Sequence, residues 1–297
     1  MRLQELRERY LERQALRGLS PHTLRLQGQV LGRAVQFFGN ADNESLHRAD
    51  WLRYLKTWTG AATSRYERCR MLRSWLGWAL AEELVWKNPL ASLALPCVTA
   101  APGRVPTAGQ VLALLEPIAD ARDRLLVELL YGAGLRRSEL VALNCTDWDE
   151  NEGTLRVRGK GNKVRLQPLG PSLQRCLTDY LHNVRPQLEV LGEERALLLN
   201  DRGQRFPGHQ VCPCIQKYAR PRGLEWLTAH SLRRAFATHL LEGGASLAQV
   251  QALLGHANPH VTERYTEISM LELCREYQRT HPRGRLGHLP RRPPRMG

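Results

Sequence analysis

Residues 230–265 read HSLRRAFATHLLEGGASLAQVQALLGHANPHVTERY. Apolar residues recur here at three- and four-residue spacing, and glycines cut the run, which is the pattern of short amphipathic helices packed together. One helix spans about 229–242 and stops at Gly243-Gly244. A second runs from Ser246, a side chain suited to capping, to Leu254 and stops at Gly255; a third opens at Asn258-Pro259. His230 and Arg233 stand three apart on the first helix, which projects both from one face. Taken singly, His230, His256 or Tyr265 reads as an ordinary core or surface residue, and His239 in FATHL as a structural one.

Upstream, GAGLRRSEL (132–140) ends a helix over 122–131 at its glycines, and Ser138 is placed to cap the short helix that follows. TLRVR (154–158) and KVRLQPL (163–169) flank Gly159-Lys160-Gly161-Asn162, which predicts an antiparallel hairpin with a glycine-containing turn. Helices near 171–184, 208–220 and 270–279 follow it along the chain, with an apolar Leu197–Leu199 after the first. The fold expected is mainly α with a small antiparallel β-sheet.

The N-terminal part reads as all-helical. Leu3, Leu6, Tyr10 and Leu11 line one helix face over 2–16. Ser20-Pro21 supplies a cap and a first-turn proline for a helix through Phe38, with Val30, Leu31, Ala34 and Val35 inward. Asp50 is expected to cap a third helix from Trp51 to Trp58, and Thr63 or Ser64 to open a fourth running to about Val85. Five of seven tryptophans (51, 58, 75, 78, 86) fall here, most of them expected in a bundle core. Prolines and small residues between Ser92 and Pro106 have linker composition. The divisions drawn are 1–92, a linker 93–105, a second domain 106–281, and a basic Pro/Arg-rich tail 282–297 expected to be disordered.

The net charge of +14 points to a polyanionic partner, and it divides evenly, +6 over residues 1–95 and +8 beyond. Seven scattered cysteines suggest no disulfide framework, and the Cys212-Pro-Cys214 pair has no second pair at zinc-site spacing, so neither metal nor cofactor is expected. Asp147 and Asp149 lack a third carboxylate and read as turn residues. No stretch of about 18 apolar residues occurs and the start, MRLQELRERY, has no signal-peptide pattern, so a cytoplasmic protein without membrane contact is expected.

GAGLRRSEL, RGKGNK (158–163), HSLRRAFATHL and LLGHANPHVTERY together resemble, in order and spacing, the tyrosine recombinase (lambda-integrase-like) family, above all its bacterial Xer-type members. The resemblance implies a two-domain DNA clamp: a helical, SAM-like core-binding domain followed by a catalytic domain that cuts and rejoins duplex DNA through a covalent 3′-phosphotyrosine. It implies Arg136, Lys160, His230, Arg233 and His256 as the catalytic set and Tyr265 as nucleophile, with Thr23, Arg25, Lys163, Arg165 and Arg234 as DNA contacts. It also implies a homo- or hetero-tetramer on two DNA sites, with a partner recombinase or DNA translocase as further candidates. Tyr265-Thr266-Glu267, where Xer proteins typically have Tyr-Thr-His, sets this chain apart from the housekeeping Xer pair.

Chemistry supports that assignment. Phosphodiester cleavage without metal requires positive charge on two nonbridging oxygens, which two forked guanidiniums supply. The departing 5′ oxygen needs a proton. The chain has 38 Arg and only 5 Lys, yet two of those lysines share the hairpin turn, at 160 and 163; an ammonium can release a proton where a guanidinium does not. Three rival readings are a mobile-element integrase with the same chemistry but a different site, a type IB topoisomerase, which shares these catalytic residues, and a catalytically silent DNA-binding protein of the same fold.

Overall fold

The computed structural model describes residues 1–93, 103–159, 163–188, 195–255 and 270–284, apart from the side chain at 271. The chain divides into two compact units, Met1–Pro102 and Gly103–Gly297. Most of the expected linker, 94–102, lies outside the described residues.

Among its described residues the first unit has four α-helices: α1 (Leu3–Leu16), α2 (Pro21–Phe37), α3 (Arg48–Lys56) and α4 (Ala62–Ala81). The Ser20 hydroxyl accepts the Thr23 N–H at 3.2 Å, and Pro21 occupies the first turn of α2. Leu3, Leu6, Leu31, Trp51, Leu72, Trp75 and Leu76 close one apolar core. Trp75 Nε1 donates to the Leu6 carbonyl at 3.2 Å, which ties α4 to α1 and satisfies the buried indole. Trp58 and Trp78 pack against this core, whereas Trp86 is 90% exposed.

Two helices differ from expectation at their boundaries. Helix α3 begins at Arg48, before Asp50, because the Asp50 carboxylate reaches back from inside the first turn to the His47 N–H at 3.0 Å. Helix α4 starts after Ala61 with no side-chain cap, and it stops at Ala81 rather than near Val85. Glu83 turns the chain with φ +57°.

The second unit is built around α6 (Ala121–Gly132), whose residues from Leu125 to Gly132 are all buried. Packed with it are α5 (Ala108–Leu115), α7 (Arg137–Ala142), α8 (Pro171–Asp179), α9 (Arg185–Leu188) and α10 (Val211–Ala219). A π-helical turn, Tyr180–Val184, joins α8 to α9. The expected hairpin is present as β2 (Thr154–Arg158) and β3 (Val164–Pro168), paired Leu155↔Gln167 and Val157↔Arg165. An unforeseen two-residue strand, β1 (Trp148–Asp149), adds to its edge. Helices α11 (Ala229–Glu242), α12 (Leu247–Leu254) and α13 (Met270–Thr280) share a smaller core of Phe236, Leu240, Val250, Leu253 and Tyr277.

The boundary expected at 281/282 falls inside this unit. Arg283 is 6% exposed and its guanidinium pairs with Glu128 of α6, which is fully buried; the Nε bond is 3.0 Å. Breaking a buried pair strands the partner charge, at a cost of about 3–5 kcal/mol. Arg283→Met, or truncation after His281, is therefore expected to lose about that much in urea denaturation. A loss within error of zero would mean the pair is not formed in solution.

Candidate active site

Helix α7 follows a glycine turn that brings three elements together. Gly134 has φ +60°, and a Cβ there would stand 2.5 Å from the Phe236 ring of α11, so the position needs glycine for both conformation and space. The close approach brings the Gly134 carbonyl to 2.6 Å from Arg233 Nη1. Arg233 also donates through Nη2 to the Leu254 carbonyl at 2.8 Å, the last residue of α12. The guanidinium is thus fixed in place by backbone acceptors from two elements. His230 lies on the first turn of α11, one turn before Arg233, and is exposed to solvent.

Glu139 ties the basic groups to one another. Its carboxylate is 3% exposed and accepts the Arg136 N–H at 2.9 Å, which caps α7 from within and displaces Ser138 from the expected capping role. Arg136 Nη1 lies 2.6 Å from Oε1, and Arg165 forks across both oxygens at 3.2 and 3.0 Å. Arg233 Nη1 is 3.4 Å from Oε2. Burial pushes the Glu139 carboxyl pKa up, but the Arg165 fork and Arg136 outweigh it and hold the value at about 2. Burial, and then the neighbouring Arg136, lower the Arg233 pKa to about 10, which leaves it charged at neutral pH. Three guanidiniums around one carboxylate leave a surplus of positive charge, and Arg136, 41% exposed, presents it to solvent.

A depressed carboxyl pKa contributes stability above its unfolded value near 4.3, which is lost as pH falls toward 2. The shift corresponds to on the order of 3 kcal/mol. Between pH 5 and 2, urea denaturation should therefore show a steeper loss of stability in wild type than in Glu139→Gln. Parallel slopes would place the acid-sensitive group elsewhere.

Arg165, expected as a DNA contact, is seen here engaged within the protein. Its side chain is 12% exposed and engaged with Glu139 and with the Leu253 carbonyl at 3.1 Å. Glu139 stands inside the GLRRSEL motif, yet motif and composition assign it no role. Its position three residues after Arg136 was the available signal.

A model described as the phage integrase family matches residues 106–272. The chain is 37% identical over 218 residues to a tyrosine recombinase XerD of Staphylococcus epidermidis, covering 71% of this chain and 74% of that protein. It belongs to the phage integrase family. Similarity extends to a tyrosine recombinase XerC of Thermodesulfovibrio yellowstonii, 36% identical over 220 residues, covering 71% of this chain and 73% of that protein. The fold matches that of a lambda integrase tetramer bound to a Holliday junction, with TM-score 0.68 and 20% identity over 87% of this chain and 78% of that one. The protein is a site-specific DNA recombinase of the tyrosine type, and neither the topoisomerase nor the silent-binder reading is favoured.

Of the recombinase residues singled out above, Lys160, His256 and Tyr265 lie outside the described residues. The described neighbours of Lys160 and His256 adjoin the Glu139 cluster. The Gly159 N–H donates to the Lys163 carbonyl at 2.8 Å, and a Cβ on Gly159 would stand 3.8 Å from Glu139 Oε1. Gly255, with φ +63°, packs on Arg165, where a Cβ would come to 2.9 Å from Cδ. Lys163 is exposed, and Arg234 is half-buried with its guanidinium against Gly103. On α2, Thr23 bonds the Ser20 hydroxyl at 2.9 Å, a capping contact, while Arg25 is exposed. Asp147 and Asp149 accept the N–H groups of Asn144 and Glu152, as turn residues do. His239 is buried and bonds Tyr131 at 2.9 Å. Among the described residues no His/Cys/Asp/Glu group could hold a metal ion, and no helix is long and apolar enough to cross a membrane.

Proposed function

We propose that Arg136 and Arg233 bind the scissile phosphate of duplex DNA, that Tyr265 attacks it, and that Lys160 protonates the departing strand. The observation that carries this reading is the surplus of guanidinium charge gathered on Glu139, with one arginine fixed and one turned to solvent. As phosphorus becomes pentavalent its nonbridging oxygens gain negative charge, and two guanidiniums on those oxygens stabilise that state more than the ground state. His230, on the face of α11 that carries Arg233, donates to the same phosphate; His256, just after Gly255, assists there or in moving the tyrosine proton.

The Tyr265 oxygen–phosphorus bond forms as the bond from phosphorus to the 5′ oxygen breaks, and the 5′ hydroxyl takes its proton from Lys160. A 5′ hydroxyl then attacks the phosphotyrosine in reverse. Bond energy is kept in the phosphodiester, so no nucleotide cofactor is required. Both units are basic, which suits a grip on DNA from the N-terminal helices as well as the catalytic domain. A tetramer on two sites, in keeping with the lambda integrase tetramer bound to a Holliday junction, and either an Xer-like or a mobile-element role complete the proposal.

The test is covalent trapping on genomic DNA fragments carrying random nicks, followed by sequencing of the bound DNA. An SDS-resistant adduct at a defined sequence, formed equally with and without excess EDTA, is expected. Adduct formation that needs added magnesium would overturn the arginine-based mechanism.

A further inference from the structure

We infer that Arg165 is a positioning residue whose grip on Glu139 frees Arg136 to turn from that carboxylate to the scissile phosphate, an inference that rests on the proposed role of Arg136. Glu139 Oε1 is shared by Arg136 at 2.6 Å and Arg165 at 3.2 Å. Arg165 reaches the second oxygen as well, at 3.0 Å, so its planar fork spans the carboxylate. The two arginines differ in freedom. Arg165 is 12% exposed, anchored to the Leu253 carbonyl and covered by Gly255, whereas Arg136 is 41% exposed and bound to Glu139 through one guanidinium nitrogen.

Of these two, an arriving phosphate therefore competes for the exposed one, Arg136. When Arg136 leaves, a carboxylate that is 3% exposed would be stranded unless another cation remained on it. Arg233, 3.4 Å from the carboxylate, is itself assigned to the phosphate, so Arg165 is the cation that stays committed to Glu139. In its absence Glu139 would retain Arg136 and Arg233 as counterions and compete with the phosphate for both. The geometry also places the tie where it can matter for the turn. Arg165 follows Lys160 by five residues on the same hairpin, and its other contacts lead to the end of α12, just before His256.

A purely mechanical role, holding β3 against α12, predicts a different pattern of mutants, and a double-mutant cycle separates the two. Single-turnover adduct formation is measured with full-length protein on a nicked duplex bearing the site recovered from wild-type adducts. Arg165→Met is expected to cleave about 100-fold more slowly, the scale for removing one partner of a buried charge pair. Glu139→Gln removes the competing charge, so Arg165→Met/Glu139→Gln should cleave as fast as Glu139→Gln alone. A double variant as slow as Arg165→Met, or slower, overturns the inference and leaves Arg165 a mechanical tie. Arg165→Lys keeps charge without the fork and should be intermediate. If Arg165→Met does not fold, the same cycle is read from Arg165→Lys with Glu139→Gln, with the same criterion. Arg136→Ala, run beside them, tests the underlying reading by itself: wild-type cleavage by that variant refutes the role of Arg136 whatever the cycle shows.

Discussion

In Tyr265→Phe the covalent protein–DNA adduct is expected to disappear while DNA binding survives. The substitution removes a single oxygen, so the phosphate site proposed at Arg136 and Arg233 keeps its charge and the basic surface its hold on the duplex. What is lost is the only atom proposed to bond to phosphorus. Loss of a nucleophile costs far more than loss of an accessory group, at least about 10^4-fold in the rate of adduct formation. Two measurements are needed together. Electrophoretic mobility shift should give a Kd within about twofold of wild type, and denaturing gels should show no slow band on a nicked substrate. An adduct that persists in Tyr265→Phe would mean that another tyrosine attacks, and peptide mapping of the DNA-linked fragment would identify it.

How much of this was legible in the sequence depends on how local the interactions are. Ser20 before Pro21 and Ser246 before Leu247 were readable because a cap is settled within four residues. The hairpin around Lys160 was readable for the same reason. Asp50 misled because an acidic side chain can serve a helix from its first turn as well as from its cap, and composition does not separate the two. The two-residue β1 carries no periodicity at all, and its pairing to Leu155 and Thr154 depends on a strand that comes later. The site shows the same division. Arg136, Arg233 and His230 could be named as candidates from motif and spacing. Arg165 could not be placed, because its partners Glu139 and Leu253 lie 26 and 88 residues away along the chain. A basic strand residue in a DNA-binding protein suggested a phosphate contact; burial gave it an internal carboxylate instead. Arg283 was misjudged likewise, since nothing in an Arg/Pro-rich terminus announces a partner 155 residues upstream.

The composition of the chain singles out Lys160 for the sharpest test of proton transfer. A protein with 38 arginines and 5 lysines has placed two of the five in one turn, although arginine would serve for charge alone. If Lys160 protonates the departing 5′ oxygen, Lys160→Arg keeps the charge and still slows cleavage about 10^2- to 10^4-fold, because guanidinium is a poor acid near neutral pH. Sulfur in place of the 5′-bridging oxygen is a leaving group that departs without a proton, so that substrate should restore Lys160→Arg to nearly the wild-type rate. It should not restore Arg136→Ala or Arg233→Ala, whose defect is unstabilised charge on the nonbridging oxygens. Lys163 supplies the control within the same turn: it is exposed, and Lys163→Arg should be nearly silent on both substrates. If Lys163→Arg proves to be the crippled variant that sulfur rescues, the acid is the other lysine of the turn. If neither lysine variant is slowed, the turn is only a solvated loop and the proton comes from elsewhere in the site.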